Sequence, residues 1–210
     1  MINFGKQAGV RLGILGMIAL SLGGCTVTAP RLTPDVAVMN QEVHTDQLDY
    51  QFKVSVRPLV TTGVRSEDRQ QFGVDLSAYF TAFYIEIENG LSHPVWVDAT
   101  QIFLQYNDQQ PVQALSESES VEYYRHGDGL RPVLTLIPKS RKLEKEELSK
   151  IRDLRLRSAT LPPTSRHAGV VYFRKIQDRD CDGVILRMRE IQIEEAGSSQ
   201  EVHFSFRCGD

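Results

Sequence analysis

Apolar and polar positions alternate along much of this chain with a period of two. Tyr50, Phe52, Val54 and Val56 alternate with Gln51, Lys53 and Ser55, the pattern of a strand with one buried face. Pro58 and Thr61-Thr62-Gly63 are expected to end that strand, and the polar stretch 64–77 is expected to be a loop. The alternation returns at 79–88, where Phe83, Ile85 and Ile87 point one way and Tyr84, Glu86 and Glu88 the other; Asn89-Gly90 then signals a turn. Residues 95–97, 101–106 and 111–115 read as three further short strands, with a turn at Asn107-Asp108. Late in the chain, strands are expected at 169–176, 184–194 and 201–207, joined into a meander by turns at 178–183 and 196–200.

The middle of the chain has another period. Residues 133–137 fit either a strand or an apolar helix turn. Residues 140–157 predict a helix: Ser140 can cap it, Glu146 and Lys150 stand at i,i+4, and no Gly or Pro interrupts it. Leu148, Ile151 and Leu154 form a thin apolar stripe, so one narrow side should dock on the body. Many short strands with one helical insertion at about 140–157 predict a mainly β chain built as a β-sandwich.

The N-terminus has a pattern of its own. Lys6 and Arg11 precede an uncharged apolar run at 12–22, about eleven residues long. That is short of the roughly 20 helical residues needed to cross a bilayer and suits the apolar region of a signal peptide. The run ends Ser21-Leu22-Gly23-Gly24-Cys25, which resembles the lipobox of bacterial lipoproteins. The resemblance implies that residues 1–24 are a signal peptide and that Cys25 is lipidated, with a diacylglycerol on its thiol and a third acyl chain on the amine freed by cleavage. Gly23 departs from the Ala, Ser or Val more usual there. In enteric-type bacteria an Asp after the Cys is the usual signal for retention in the inner membrane. Thr26 stands there instead, so the resemblance implies an outer-membrane anchor with the domain in the periplasm. Residues 25–47, with Pro30 and Pro34, are expected to be the lipidated Cys and a flexible tether, and 48–210 the folded domain.

Composition narrows the picture further. The 210 residues hold 24 Lys and Arg against 27 Asp and Glu, a net charge of -3, which gives no electrostatic reason to expect nucleic acid as a partner. Losing Lys6 and Arg11 with the signal peptide makes the balance more acidic. Of the 3 Cys, Cys181 and Cys208 remain once Cys25 is acylated, an even pair suited to an oxidising compartment. Antiparallel pairing across the last turn would bring them close. A disulfide would close a loop of about 28 residues, worth roughly 3–4 kcal/mol on the chain-entropy account; the alternative is two free thiols.

A second resemblance rests on the strands. Tyr84-Ile85-Glu86-Ile87-Glu88-Asn89, Pro94-Val95-Trp96-Val97-Asp98 and Ile102-Phe103-Leu104-Gln105-Tyr106, with Leu161-Pro162-Pro163 and Gly169-Val170-Val171-Tyr172-Phe173, resemble immunoglobulin-like domains of exported bacterial proteins. The likeness covers about 79–176 and implies an immunoglobulin-like β-sandwich. It brings no catalytic residue with it. Many such domains are interaction or assembly modules, though a fold does not fix a function.

The sharpest local motif is Asp178-Arg179-Asp180-Cys181-Asp182-Gly183, the first half of a calcium loop in which alternate carboxylates converge on a hard cation. Its twelfth position, which should be a bidentate Glu, is Arg189, and Glu190 comes one residue late. The plainer reading is a charged hairpin turn. The basic stretch 139–157 suits anionic lipid or an acidic partner, or is simply a solvated helix face. Glu117, Glu119 and Glu122 are expected on a surface loop. His44, His93, His126, His167 and His203 lack metal-site spacing, His126-Gly127-Asp128-Gly129 reads as a loop, and no nucleophile-elbow, zinc-protease or phosphate-loop motif occurs. Trp96 with Phe83, Ile85 and Phe103 makes either a ligand platform or, more commonly for such strand aromatics, core.

These observations lead to an expectation of a non-enzymatic envelope lipoprotein that needs no cofactor. It would touch the membrane through its acyl chains and an envelope protein through its domain. A ligand- or calcium-binding module and an envelope enzyme are the alternatives.

Overall fold

The computed structural model describes residues 31–34, 40–43, 52–59, 67–106, 109–127, 140–176, 183–193 and 199–209. The strands are β1 (Arg31–Pro34), β2 (Asn40–Val43), β3 (Phe52–Leu59), β4 (Thr81–Asn89), β5 (Val95–Val97), β6 (Ile102–Gln105), β7 (Val112–Gln113), β8 (Ala159–Leu161), β9 (Ser165–Phe173), β10 (Val184–Ile193) and β11 (Ser199–Gly209). The helices are α1 (Glu67–Phe72), α2 (Glu117–His126) and α3 (Arg141–Asp153). The smaller sheet runs β2-β3-β4-β9. In the larger sheet β1 and β11 lie on one side of β10, whose other edge is shared by β6, which carries β7, and β5, which carries β8. All these pairings are antiparallel.

The mainly β expectation therefore holds, and the period-two pattern explains it. Phe52, Val54 and Val56 of β3 and Phe83, Ile85 and Ile87 of β4 are buried on one side. They share a core with Ile102, Leu104, Leu186, Met188, Phe204 and Phe206 of the larger sheet. The Phe83 and Phe206 rings meet across it, with centroids 5.1 Å apart. Asn89 ties the rim of this core: its Nδ2 donates to the carbonyls of His93 and Leu161, each at 2.9 Å, and its Oδ1 accepts from Leu91 N at 3.0 Å. It is a buried amide with its partners in place, as a buried polar group requires.

A second core lies on the opposite side of the smaller sheet. There Leu59, Ala82, Val170 and Tyr172 pack against Val74, Leu76, Phe80, Leu115, Tyr124, Leu148 and Ile151, so helices cover the sheet. α3 begins after Ser140 as expected, with Ser140 Oγ accepting from Leu143 N, and its buried stripe holds Leu148 and Ile151. The helix stops at Asp153, four residues early, because the chain then crosses the edge of β9. Val170 N donates to Leu154 O at 2.7 Å, and Leu156 N donates to Val170 O at 3.0 Å. Leu154 packs on the helical core and Leu156 lies in the core between the sheets. Gly169 makes room for that crossing: a β-carbon there would stand 2.5 Å from Leu156 Cα.

Several sequence expectations are corrected. Residues 116–127 are not a loop, because Ser116 and Glu119 form a capping box that starts α2. The stretch 64–77 contains α1 and buries Val74 and Leu76. β3 continues through Pro58: among the described residues its pairing with β2 ends at Ser55, and a proline, which has no N–H to give, is tolerated in a strand outside such a ladder. The three late strands are not one meander: β9 pairs with β4 in the smaller sheet, and only β10 and β11 form a hairpin. The physical reason is two-sided burial. Residues 169–173 are all buried, which suits a strand between two cores, whereas the first part of β10 buries alternate residues. Within the expected tether, β1 and β2 add short strands to β11 and β3. Residues 133–137 lie outside the described residues.

Candidate functional site

Of the residues singled out by sequence, Cys25, Asp178, Asp180, Cys181 and Asp182 lie outside the described residues. Gly183, the end of the acidic motif, adopts φ +65°, the left-handed turn conformation that glycine accepts without strain. In the β10–β11 ladder Val184 stands opposite Phe206, and on the far edge of β11 the backbone of Cys208 stands opposite Leu32. Among the described residues no group of three His, Cys, Asp or Glu side chains can hold a metal ion.

The four aromatic-platform candidates do not come together. Phe83 and Ile85 are in the core between the sheets, whereas Trp96 is 36% exposed on the outer side of the larger sheet. The expectation that Trp96 is core fails because Val95 and Val97 take the inward positions of this three-residue strand. Phe103 points outward too, between buried Ile102 and Leu104.

The helical layer holds most of the basic stretch and many of its partners. Lys142 pairs with Glu146 at 4.0 Å, Arg152 with Glu117 at 3.6 Å, and Arg125 of α2 with Glu144 of α3 at 3.4 Å. Lys150 Nζ donates to Gly73 O at 2.9 Å. Between the two helices the buried Tyr124 hydroxyl donates to Glu147 Oε2. Hydrogen bonds from Ser116 hold the Glu119 carboxyl below its usual range. The Tyr172 hydroxyl donates to Ile151 O at 3.1 Å, and burial pushes that phenol well above its ordinary value. Burial brings the Lys175 ammonium down to about 8, against the pull of Asp75, while its Nζ donates to Ser77 O. An open groove of about 760 Å³ runs along the outer side of α2, lined by Glu117, Val121, Glu122, Arg125, His126 and Arg152. It offers exposed charges of both signs rather than an enclosed reaction chamber. The Ser92 Oγ and His93 Nε2 pair, 2.8 Å apart, sits on an exposed turn outside that groove.

The outer side of the larger sheet carries a cluster that the sequence reading did not identify. Arg187 stands opposite Phe103 on one side and His203 on the other, on the non-core face of β10. One residue pair later the register slips: Met188 pairs with Val202, but Ile191 pairs with Gln200. Glu190 sits in this bulge with φ +56°. Glu201 therefore faces both arginines. Its Oε1 accepts from Arg187 Nη1 at 3.4 Å, and its Oε2 lies 3.5 Å from Arg189 Nε. The Arg189 guanidinium is stacked 5.0 Å from the centroid of the Phe103 ring. A signal for this cluster exists in the sequence. Val184, Leu186 and Met188 are even-numbered and Ile191 and Ile193 odd, and that change of phase marks the bulge.

No family model matches the chain, and no curated protein matches it. Among solved structures it is similar to the yjhA protein from Bacillus subtilis, at 12% identity over 72% of this chain and 80% of that one, with a TM-score of 0.36. It is also similar to a functionally unknown protein from Listeria monocytogenes EGD-e, at 10% identity over 87% of this chain and 90% of that one, with a TM-score of 0.34. Neither likeness assigns an activity.

Proposed function

We propose that this chain is a lipoprotein of the bacterial envelope, held at the outer membrane by acyl chains on Cys25, whose periplasmic β domain binds another envelope protein and catalyses no reaction. The observation that carries the proposal is the N-terminal order of Lys6, Arg11, an apolar run and Leu22-Gly23-Gly24-Cys25. Each buried CH₂ of an acyl chain contributes about 0.8 kcal/mol, and two or more chains anchor stably without a membrane helix. Among the described residues no helix is long and apolar enough to cross a bilayer. The strand order supports the immunoglobulin-like part of the reading: β3-β4-β9 facing β11-β10-β5 corresponds to strands A, B and E facing G, F and C. Cross-linking in intact cells, followed by mass spectrometry of the outer-membrane fraction, tests the proposal. A recurrent protein partner supports it; a chain found in the soluble fraction without a partner defeats it.

The acidic motif favours one second reading, a calcium-binding module with Asp178, Asp180 and Asp182 as ligands. Titration with calcium in a calorimeter decides it. Heat release with a raised melting temperature supports the reading, and the absence of both removes it.

A further inference from the structure

We propose that the outer face of the larger sheet is a docking site for an acidic peptide segment of a protein partner, whose carboxylate is received by Arg187 and Arg189. The inference rests on the binding-module reading above and names the surface and the chemistry of the contact.

Three observations carry it. First, this sheet face lies away from both cores, while helices cover the corresponding face of the smaller sheet. It displays Trp96, Phe103, Arg187 and Arg189, and aromatic and arginine side chains are the residue types that dominate binding energy at protein interfaces.

Second, two guanidinium groups share one carboxylate. Glu201 reaches Arg187 Nη1 at 3.4 Å and Arg189 Nε at 3.5 Å with one oxygen each. A guanidinium–carboxylate pair at its best is bidentate with contacts near 2.7–2.9 Å. Each arginine therefore has donors in excess of what Glu201 accepts. Third, among the described residues the buried side-chain nitrogen and oxygen atoms without a well-formed hydrogen bond are Arg187 Nε and Arg189 Nε, the latter meeting Glu201 Oε2 at 3.5 Å as an ion-pair contact only. Buried donors without a well-formed bond are uncommon, and here they show that Glu201 alone does not satisfy the two guanidinium forks. Both unsatisfied atoms belong to this one cluster.

The geometry favours a peptide over a lipid surface. The two arginine side chains are only 31% and 40% exposed, and one is stacked on Phe103, so the forks lie against the sheet. Membrane attraction of the electrostatic kind uses four to eight protruding Lys or Arg, whereas a planar, pre-oriented fork suits a carboxylate. Trp96, paired with Gln192 further along β10, supplies apolar area beside the charge.

The test uses the full chain carrying Cys25→Ser, so that acylation plays no part, and a fluorescent hexaglutamate peptide followed by anisotropy. Binding is expected, and it should weaken about tenfold or more in Arg187→Gln and in Arg189→Gln, the loss anticipated for a charge-assisted contact. Glu201→Gln removes the internal competitor and should tighten binding several-fold; it keeps the test decisive if an arginine variant fails to fold. Unchanged affinity in all three variants would overturn the proposal. So would binding of phosphatidylglycerol vesicles without binding of the peptide. A cellular cross-linked partner that captures wild type and Arg189→Gln equally would also defeat this surface while leaving the binding-module reading intact. The loss of every cross-linked partner from the wild type would defeat that reading instead.

Discussion

The two outer faces of this two-sheet domain differ in a way their strands explain. On the smaller sheet, Ala82, Val170 and Tyr172 point away from the shared core into a second apolar layer beneath α2 and α3. On the larger sheet, the equivalent outward positions hold Phe103, Arg187, Glu201 and His203. Helices cover one outer face, and the other carries polar and aromatic side chains. A strand that is apolar on both faces, as β9 is over 169–173, has to be sandwiched between layers. A strand that alternates, as β10 does before its bulge, can serve as a surface.

Substitutions on the two faces should therefore have opposite consequences. The largest effect is expected from Tyr172→Ala, which empties a fully buried site and removes the hydrogen bond to Ile151 O. Denaturant unfolding should show a loss of about 3–5 kcal/mol. A loss below 1 kcal/mol would mean that the helical layer is not part of the folded core. Gly169→Ala comes next. The new methyl meets the backbone of Leu156 at 2.5 Å, and backbone cannot rotate away as a side chain can. A loss of about 1–3 kcal/mol is expected, with the junction of α3 and β9 showing the faster hydrogen exchange.

A pH-dependent effect belongs to the same covered side. Lys175 has its ammonium brought down to about 8 by burial, from an ordinary 10.5. Between those values the unfolded chain holds more protons than the folded one, so stability rises with pH across that window. Below about 8 both states are protonated, and the cost of burying the charge is present in full. The gain is at most about 1.4 kcal/mol per pH unit. Lys175→Met should abolish this dependence, and melting curves of the two proteins from pH 7 to 10.5 check it. The smallest effect is predicted for Trp96→Ala on the open face. Its stability should stay within about 0.5 kcal/mol of wild type, while hexaglutamate binding weakens. A large stability loss would show that Trp96 is part of a packed layer after all.

How much of this was legible in the sequence depends on whether the signal is local. The alternation of Phe83, Ile85 and Ile87 announced β4, and Ser140 announced α3. The capping box of α2 was present as Ser116 and Glu119, but three acidic residues in a polar stretch read as a loop. Two-sided burial, with Val170 and Tyr172 in one core and Val171 and Phe173 in the other, was written in an unbroken apolar run, yet which sheet that strand joins is a non-local matter decided by pairing with β4. The arginine cluster was half legible. Arg187 and Arg189 two residues apart share a face, and the change of apolar phase after Met188 marks the bulge. Glu201 joins them only through the register of another strand, which no local pattern specifies.

The anchor at Cys25 is the claim on which location and role depend, and metabolic labelling with an alkyne analogue of palmitate tests it most directly, combined with the intact mass of the protein recovered from envelopes. Label on the wild type, its loss in Cys25→Ala, and a mature chain that begins at residue 25 are the predicted results. An unlabelled protein that still begins at Met1 would contradict the account.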